Sequence, residues 1–223
     1  MKKKKLFLII ISSIIVSLSL AVAIPFIILG INTSKIKADY MYLKEDANYQ
    51  DKVEINGLEL VTQHVSCGYA TIEMMSSYYG DKVSEDDLDG RNRTISTSSS
   101  KGFLNGIKKS IPTKNFVMSD YLRSDELLKT IYEAIKNNNP VAIEWGAKYE
   151  GDWTLHFSVI SALDIKNDSV TVYNPYGYIE DINLDEFLDR ASFESYSNIP
   201  LFLNFGFAYG AFHKNTVFYS LQT

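Results

Sequence analysis

The longest apolar run lies at the N-terminus. Leu6 to Ile31 is 26 positions with no charge, four serines, one proline and one glycine, and it follows Lys2-Lys3-Lys4-Lys5. A helix of that length exceeds the roughly 30 Å hydrocarbon core of a bilayer, so the pattern predicts one transmembrane helix. Ala21-Val22-Ala23 offers a small-x-small cleavage motif. The apolar run continues past it to Leu29, however, longer than a signal-peptide core, and this favours an uncleaved anchor over a secreted product. The four lysines should stay in the cytoplasm and the rest of the chain outside. Residues 32–51 are polar without apolar periodicity and read as a tether, which divides the chain into an anchor (1–31), a tether (32–51) and a folded domain (52–223).

Within the domain the pattern is helical first and extended later. Asn56-Gly57, flanked by Val53-Glu54-Ile55 and Leu58-Glu59-Leu60, is a two-residue hairpin signal. From Cys67 to Tyr79, Thr71, Met74, Met75 and Tyr78 recur at helical spacing before Gly80, predicting a helix with Cys67 at its start. Short helices are expected over 84–89 and 103–109, the latter after a Ser/Thr-rich loop (94–100). Ser124-Asp125-Glu126 opens an amphipathic helix that ends at Asn137-Asn138-Asn139-Pro140. Strands are then expected over 141–145, 155–163, 169–173, 200–207 and 216–219, with a helix capped by Asn183 from Leu184 to Arg190. At 14 residues with Asn204 inside, Ile199 to Phe212 is too short for a second span and reads as core strand. Helices before an antiparallel sheet is an α+β order.

Composition narrows the function. Removing the lysine cluster leaves eighteen cations against 27 anions, a surface that repels nucleic acid and excludes it as a partner. With a single cysteine, Cys67, neither an intramolecular disulfide nor a four-thiolate zinc site can form. The three histidines lack ligand spacing, so no metal and no cofactor are expected.

Cys67 stands where a thiol is activated, since the unpaired N–H groups and positive dipole of a helix start favour the thiolate. Gly68 beside it leaves room for a substrate backbone. Upstream, Gln63 can join the Cys67 N–H in an oxyanion hole. Of the histidines, His64 reads as a surface residue and His213 as a packed one. His156 opens a strand whose Leu155/Phe157/Val159 face should be buried, leaving the imidazole on the opposite face. With the turn centred near Lys166, Asn174 falls nearly across from His156, placed to accept the imidazole Nδ1–H and fix its tautomer. An exposed loop glutamine and a turn-forming Asn-Pro would account for Gln63 and Asn174 taken singly; the order of Gln63, Cys67, His156 and Asn174 is what points to nucleophilic catalysis.

These residues resemble the C39-like peptidases, a bacterial branch of the papain-like cysteine peptidases that includes domains trimming leader peptides from bacteriocins. The resemblance rests on Gln63-His64-Val65-Ser66-Cys67-Gly68-Tyr69-Ala70-Thr71, Leu155-His156-Phe157-Ser158-Val159-Ile160 and Val172-Tyr173-Asn174-Pro175-Tyr176-Gly177. It implies a papain-like fold with a helical part packed on an antiparallel sheet, Cys67 as nucleophile, His156 as base, Asn174 as orienting residue, Gln63 in the oxyanion hole, and a peptide or protein substrate. The family usually carries Asp where this chain has Asn174, and only three residues separate Gln63 from Cys67. No Gly-x-x-x-x-Gly-Lys-Ser/Thr motif is present, which excludes a fused ATP-driven transporter. Two other readings use the same residues: a transglutaminase-like acyl transferase, and a non-catalytic membrane-tethered binding or immunity protein.

Overall fold

The computed structural model describes residues 2–90 and 96–221, so Thr94 and Ile95 of the expected Ser/Thr-rich loop lie outside the described residues. Helix α1 (Lys2–Ile36) carries the apolar run through Pro25, with its aliphatic side chains exposed along most of its length. The stretch expected to act as a tether instead packs on the domain through two short 3-10 turns, Met41–Lys44 and Ala47–Tyr49. Tyr40 and Leu43 are buried, the Tyr40 hydroxyl donates to Asp185 (2.6 Å), the Tyr42 hydroxyl donates to Asp125 (2.8 Å) and Lys44 pairs with Asp168 (2.8 Å). The signals missed were the isolated apolar and aromatic positions, too sparse to form a period.

The domain is α+β around one antiparallel sheet. In chain order it comprises β1 (Val53–Glu54), α2 (Cys67–Tyr78), α3 (Glu85–Asp89), α4 (Ser100–Ser110), β2 (Asn115–Ser119), α5 (Ser124–Lys136), β3 (Val141–Tyr149), β4 (Asp152–Asp164), β5 (Ser169–Asn174), β6 (Tyr178–Ile182), α6 (Leu184–Ala191), α7 (Leu201–Ala208) and β7 (Thr216–Leu221). The strand order is β2-β7-β3-β4-β5-β6, with β1 also paired to β4.

Local chemistry sets most of these boundaries. Ser66 caps α2 by accepting from the Tyr69 N–H. Ser84 and Asp87 form a capping box on α3, and Asn183 caps α6 through the Glu186 N–H. In α5 the helix begins at Ser124, so the cap lies one residue earlier than its Ser-Asp-Glu opening suggested; Glu126 accepts from the Arg123 N–H, and the Ser124 hydroxyl donates to the Ile36 carbonyl.

Three expectations are corrected. Asn56-Gly57 makes a turn, with Gly57 at φ +84°, but no hairpin: Val53 and Glu54 pair with Leu163 and Ala162, because the edge offered by β4 wins over the local partner. The segment expected as a strand over 200–207 is helix α7, started by Pro200. Its continuous apolar run matches either structure by pattern alone. Strands β2 and β6 were not expected, since their half-exposed residues lack clean alternation.

Strand β4, at 13 residues the longest, lies inside the sheet and positions the site. Helices α2 and α5 pack on it, while α6 packs on β3 and β5. On one face Phe157 stacks against Phe103 of α4 (4.3 Å); on the other, Trp145, directly across from His156, lies beneath α6. Both faces of the sheet are therefore covered, and β4 is buried at every position from His156 to Leu163. His156 occupies the face opposite Phe157, as its parity requires, but that face is covered as well.

Candidate active site

On the imidazole side a chain of hydrogen bonds runs outward from His156. Its Nε2 lies 2.9 Å from Asn174 Oδ1, and that oxygen also accepts from the Tyr176 N–H at 3.0 Å. The Asn174 Nδ2 donates to Glu180 Oε1 at 2.9 Å. With a backbone N–H on its oxygen and a carboxyl oxygen on its nitrogen, the amide has only one sensible orientation, which requires His156 to donate from Nε2. The expected His-Asn pairing is present through the other ring nitrogen: Nε2 makes the bond, and Nδ1 is left buried without a hydrogen-bond partner among the described residues.

Glu180 is held in turn by Arg190, at 2.8 and 3.1 Å in a two-point contact. Arg190 also donates from Nε to the Gly146 carbonyl (2.9 Å), and its guanidinium lies 3.6 Å from the Trp145 ring centroid. Tyr176 stacks on the imidazole at 4.0 Å, with its hydroxyl 2.7 Å from Thr154 Oγ1. The sequence reading missed Tyr176, Glu180 and Arg190. Tyr176 is two residues from Asn174 and was legible as a neighbour; Glu180 and Arg190 look like ordinary surface charges until β6 and α6 fold over Asn174.

On the thiol side, Cys67 opens α2 at the capped end of a loop threaded between two anchors. The Gln63 N–H donates to the Pro175 carbonyl (2.7 Å), tying this loop to the Asn174 turn. The fully buried Glu85 accepts from the backbone N–H groups of His64, Val65 and Ser66 at 3.2, 2.7 and 3.3 Å. Gln63 Oε1 is buried without a partner among the described residues. The expected opening beside Gly68 is filled: a side chain there would meet Thr97 at 2.4 Å, so the glycine admits the Ser/Thr loop rather than exposing a floor to substrate.

Electrostatics differ from the simple helix-tip expectation. Burial pushes the Cys67 thiol up, and this outweighs the downward pull of the Phe157, Gly68 and Cys67 amides; nearby Glu144 raises it further. Burial likewise drives His156 down to about 3, only partly opposed by its bond to Asn174, and Arg190 adds to the fall. Glu144 is fully buried, with the Ser100 hydroxyl donating to Oε2 at 2.5 Å. Desolvation pushes it up to about 8, so it holds its proton at neutral pH. Thiol and imidazole thus rest uncharged, with the imidazole presenting a bare Nδ1.

The other two histidines sit apart from this network. Exposed His64 contacts Asp86 (2.9 Å), and buried His213 lies 2.6 Å from Asp120. Among the described residues no three His, Cys, Asp or Glu side chains gather as metal ligands.

Residues 55–200 match the family described as Peptidase_C39 like. No curated protein matches the sequence. Among solved structures, a double glycine motif protease from an AMS/PCAT transporter, crystallised with its leader peptide, is similar at 15% identity and a TM-score of 0.47, covering 78% of this chain and 100% of that one.

Proposed function

The chain belongs to the C39-like peptidase family, and on that premise we propose that it is a membrane-anchored, extracytoplasmic cysteine peptidase in which Cys67, His156 and Asn174 form the catalytic triad. The observation that carries the reading is the bond from His156 Nε2 to Asn174 Oδ1, which leaves Nδ1 as the bare nitrogen of a neutral imidazole.

From that state the Cys67 proton passes to Nδ1 as sulfur attacks the peptide carbonyl. The resulting oxyanion is received by the Cys67 N–H and the Gln63 side chain. Collapse of the intermediate transfers the Nδ1 proton to the leaving amine and leaves a thioester on Cys67. A water molecule then gives a proton to Nδ1 and attacks the thioester, and the released sulfur recovers its proton. Asn174 holds the ring throughout, because its oxygen accepts the Nε2–H in both protonation states. The lysine cluster at the start of α1 supports the outside placement of the domain.

The test is turnover of a peptide library by the full-length protein in detergent, with and without an added primary amine. Hydrolysed products are expected, and Cys67→Ala and His156→Ala should each lose about 10³-fold or more. Unchanged turnover in Cys67→Ala would remove the nucleophile, and capture of the acyl group mainly by the amine would favour acyl transfer.

A further inference from the structure

Helix α7 has two apolar faces, and only one is used by the domain. Leu203 and Phe207 point inward and form a small cluster with Phe193 and Tyr196. Leu201 and Phe202 point outward and are 71% and 70% exposed; Phe205 and Tyr209 extend the same outward stripe. This stripe runs against α1: Phe205 meets Phe26 edge to face (5.3 Å), and Leu29 packs on the inner cluster. Val22, Ile24, Ile27 and Ile28, from the same stretch of α1, are also exposed and aliphatic, so both helices carry outward apolar side chains around this contact.

Inside this contact lies a specific polar repair. In an α-helix the N–H of residue 25 would serve the carbonyl of residue 21, but residue 25 is proline and has none. The carbonyl of Ala21 is freed, and the Tyr209 hydroxyl donates to it at 3.1 Å. In water that carbonyl would be satisfied by solvent. In hydrocarbon an unpaired backbone group finds no solvent partner, and a side chain must be brought to it.

We propose that α7 and the turn to Tyr209 are embedded in the outer leaflet beside α1, fixing the domain directly on the bilayer. The inference rests on α1 spanning the membrane. Counted back from Ile31, where the uncharged run ends, Phe26 lies roughly 8 Å inside along the helix and Ala21 roughly 15 Å. Phe205, beside Phe26, therefore sits at a depth matching the roughly 5–10 Å insertion of interfacial helices, with Phe202 nearer the outer edge of the hydrocarbon and Tyr209 deeper. Lipid is the occupant because the outward stripe of α7 lies against the apolar stretch of α1, whose own aliphatic side chains are exposed on the same length of helix.

The test places nitroxide labels on full-length Cys67→Ser protein in phosphatidylethanolamine/phosphatidylglycerol vesicles, at Ile14→Cys in α1, Phe202→Cys in α7 and Glu133→Cys on the domain surface. The labels at 14 and 202 should collide readily with oxygen and several-fold less with a water-soluble nickel complex than the label at 133. A label at 202 as open to nickel as that at 133, while 14 is protected, overturns the insertion and spares the anchor; water exposure at both 14 and 202 overturns both. A label at 202 shielded from both reagents means that protein, such as a second copy of the chain, covers the stripe, and this also overturns the proposal. Tyr209→Phe should increase the water-exposed fraction at 202, and less so in a Pro25→Ala background where Ala21 regains its helical donor. Equal effects in the two backgrounds overturn the role given to Tyr209.

Discussion

On the His156 side of the candidate site, polar contacts end on further protein groups, from imidazole to Asn174, Glu180, Arg190 and finally the Gly146 carbonyl. On the Cys67 side the partly buried thiol packs against the apolar core and lies near main-chain amides, and the neighbouring carboxyl, Glu144, has one oxygen with no partner among the described residues. The first arrangement fixes orientation, because each member has one geometry that satisfies its neighbours. The second sets the cost of charge, because burial penalises a thiolate there more than the nearby amides favour it. A thiol at a helix start is commonly taken as activated by its position; here burial outweighs the pull of the nearby amides, so on the proposed reading activation would fall to His156.

Breaking the base side at its far end gives the largest effect. Arg190→Met removes the cation from Glu180, the carboxylate that holds Asn174, while keeping bulk over Trp145. The loss of one partner from a buried pair costs about 3–5 kcal/mol, and denaturant unfolding of the full-length protein in detergent should show it. Arg190→Lys keeps the charge but not the two-point fork, so it should recover part of the stability and less of the peptide turnover.

The next effect is read by pH. His156 is held at about 3 in the fold against 6.5 as its ordinary value. Its contribution to stability is therefore complete above pH 6.5 and is lost as pH falls toward 3, at up to about 1.4 kcal/mol per pH unit. His156→Gln, which cannot titrate, should flatten the acid limb of the stability profile over that window. An unchanged limb would mean that the imidazole is not desolvated in solution. Glu144 works in the opposite sense: raised to about 8 from 4.5, it favours the fold below pH 4.5 and costs stability as pH climbs through 8, so the two profiles can be separated by variant.

The pairing of His156 with Asn174 was legible in the sequence because strand parity and turn position constrain which side chains can meet. Which ring nitrogen faces Asn174 was not, since it depends on the ring rotamer rather than on register. The register itself shifts at a bulge between Ile160 and Ala162, a backbone irregularity that no residue type announces. Gly68 was misread because its neighbour, Thr97, is remote in sequence and on a loop. Helix α7 was misread as core strand for a related reason: apolarity records that a segment leaves water, not whether it enters the protein core or lies along another helix.

The smallest effect sharpens the thiol side. Glu85 gathers three successive backbone N–H groups of the loop that delivers Cys67, and its own N–H donates to Glu73 at 2.6 Å. Glu85→Gln keeps the shape and one acceptor oxygen but replaces charge-assisted bonds with neutral ones and puts an amide N–H₂ in a fully buried place. A cost of about 1–3 kcal/mol is expected, concentrated in the loop. Amide hydrogen exchange at His64, Val65 and Ser66 should quicken while the sheet amides of β4 and β5 hold their protection, and peptide turnover should fall as Cys67 loses its fixed position. Equal acceleration across the sheet would show that Glu85 supports the fold as a whole; exchange confined to the loop with turnover unchanged would show that the thiol is positioned by the α2 cap alone.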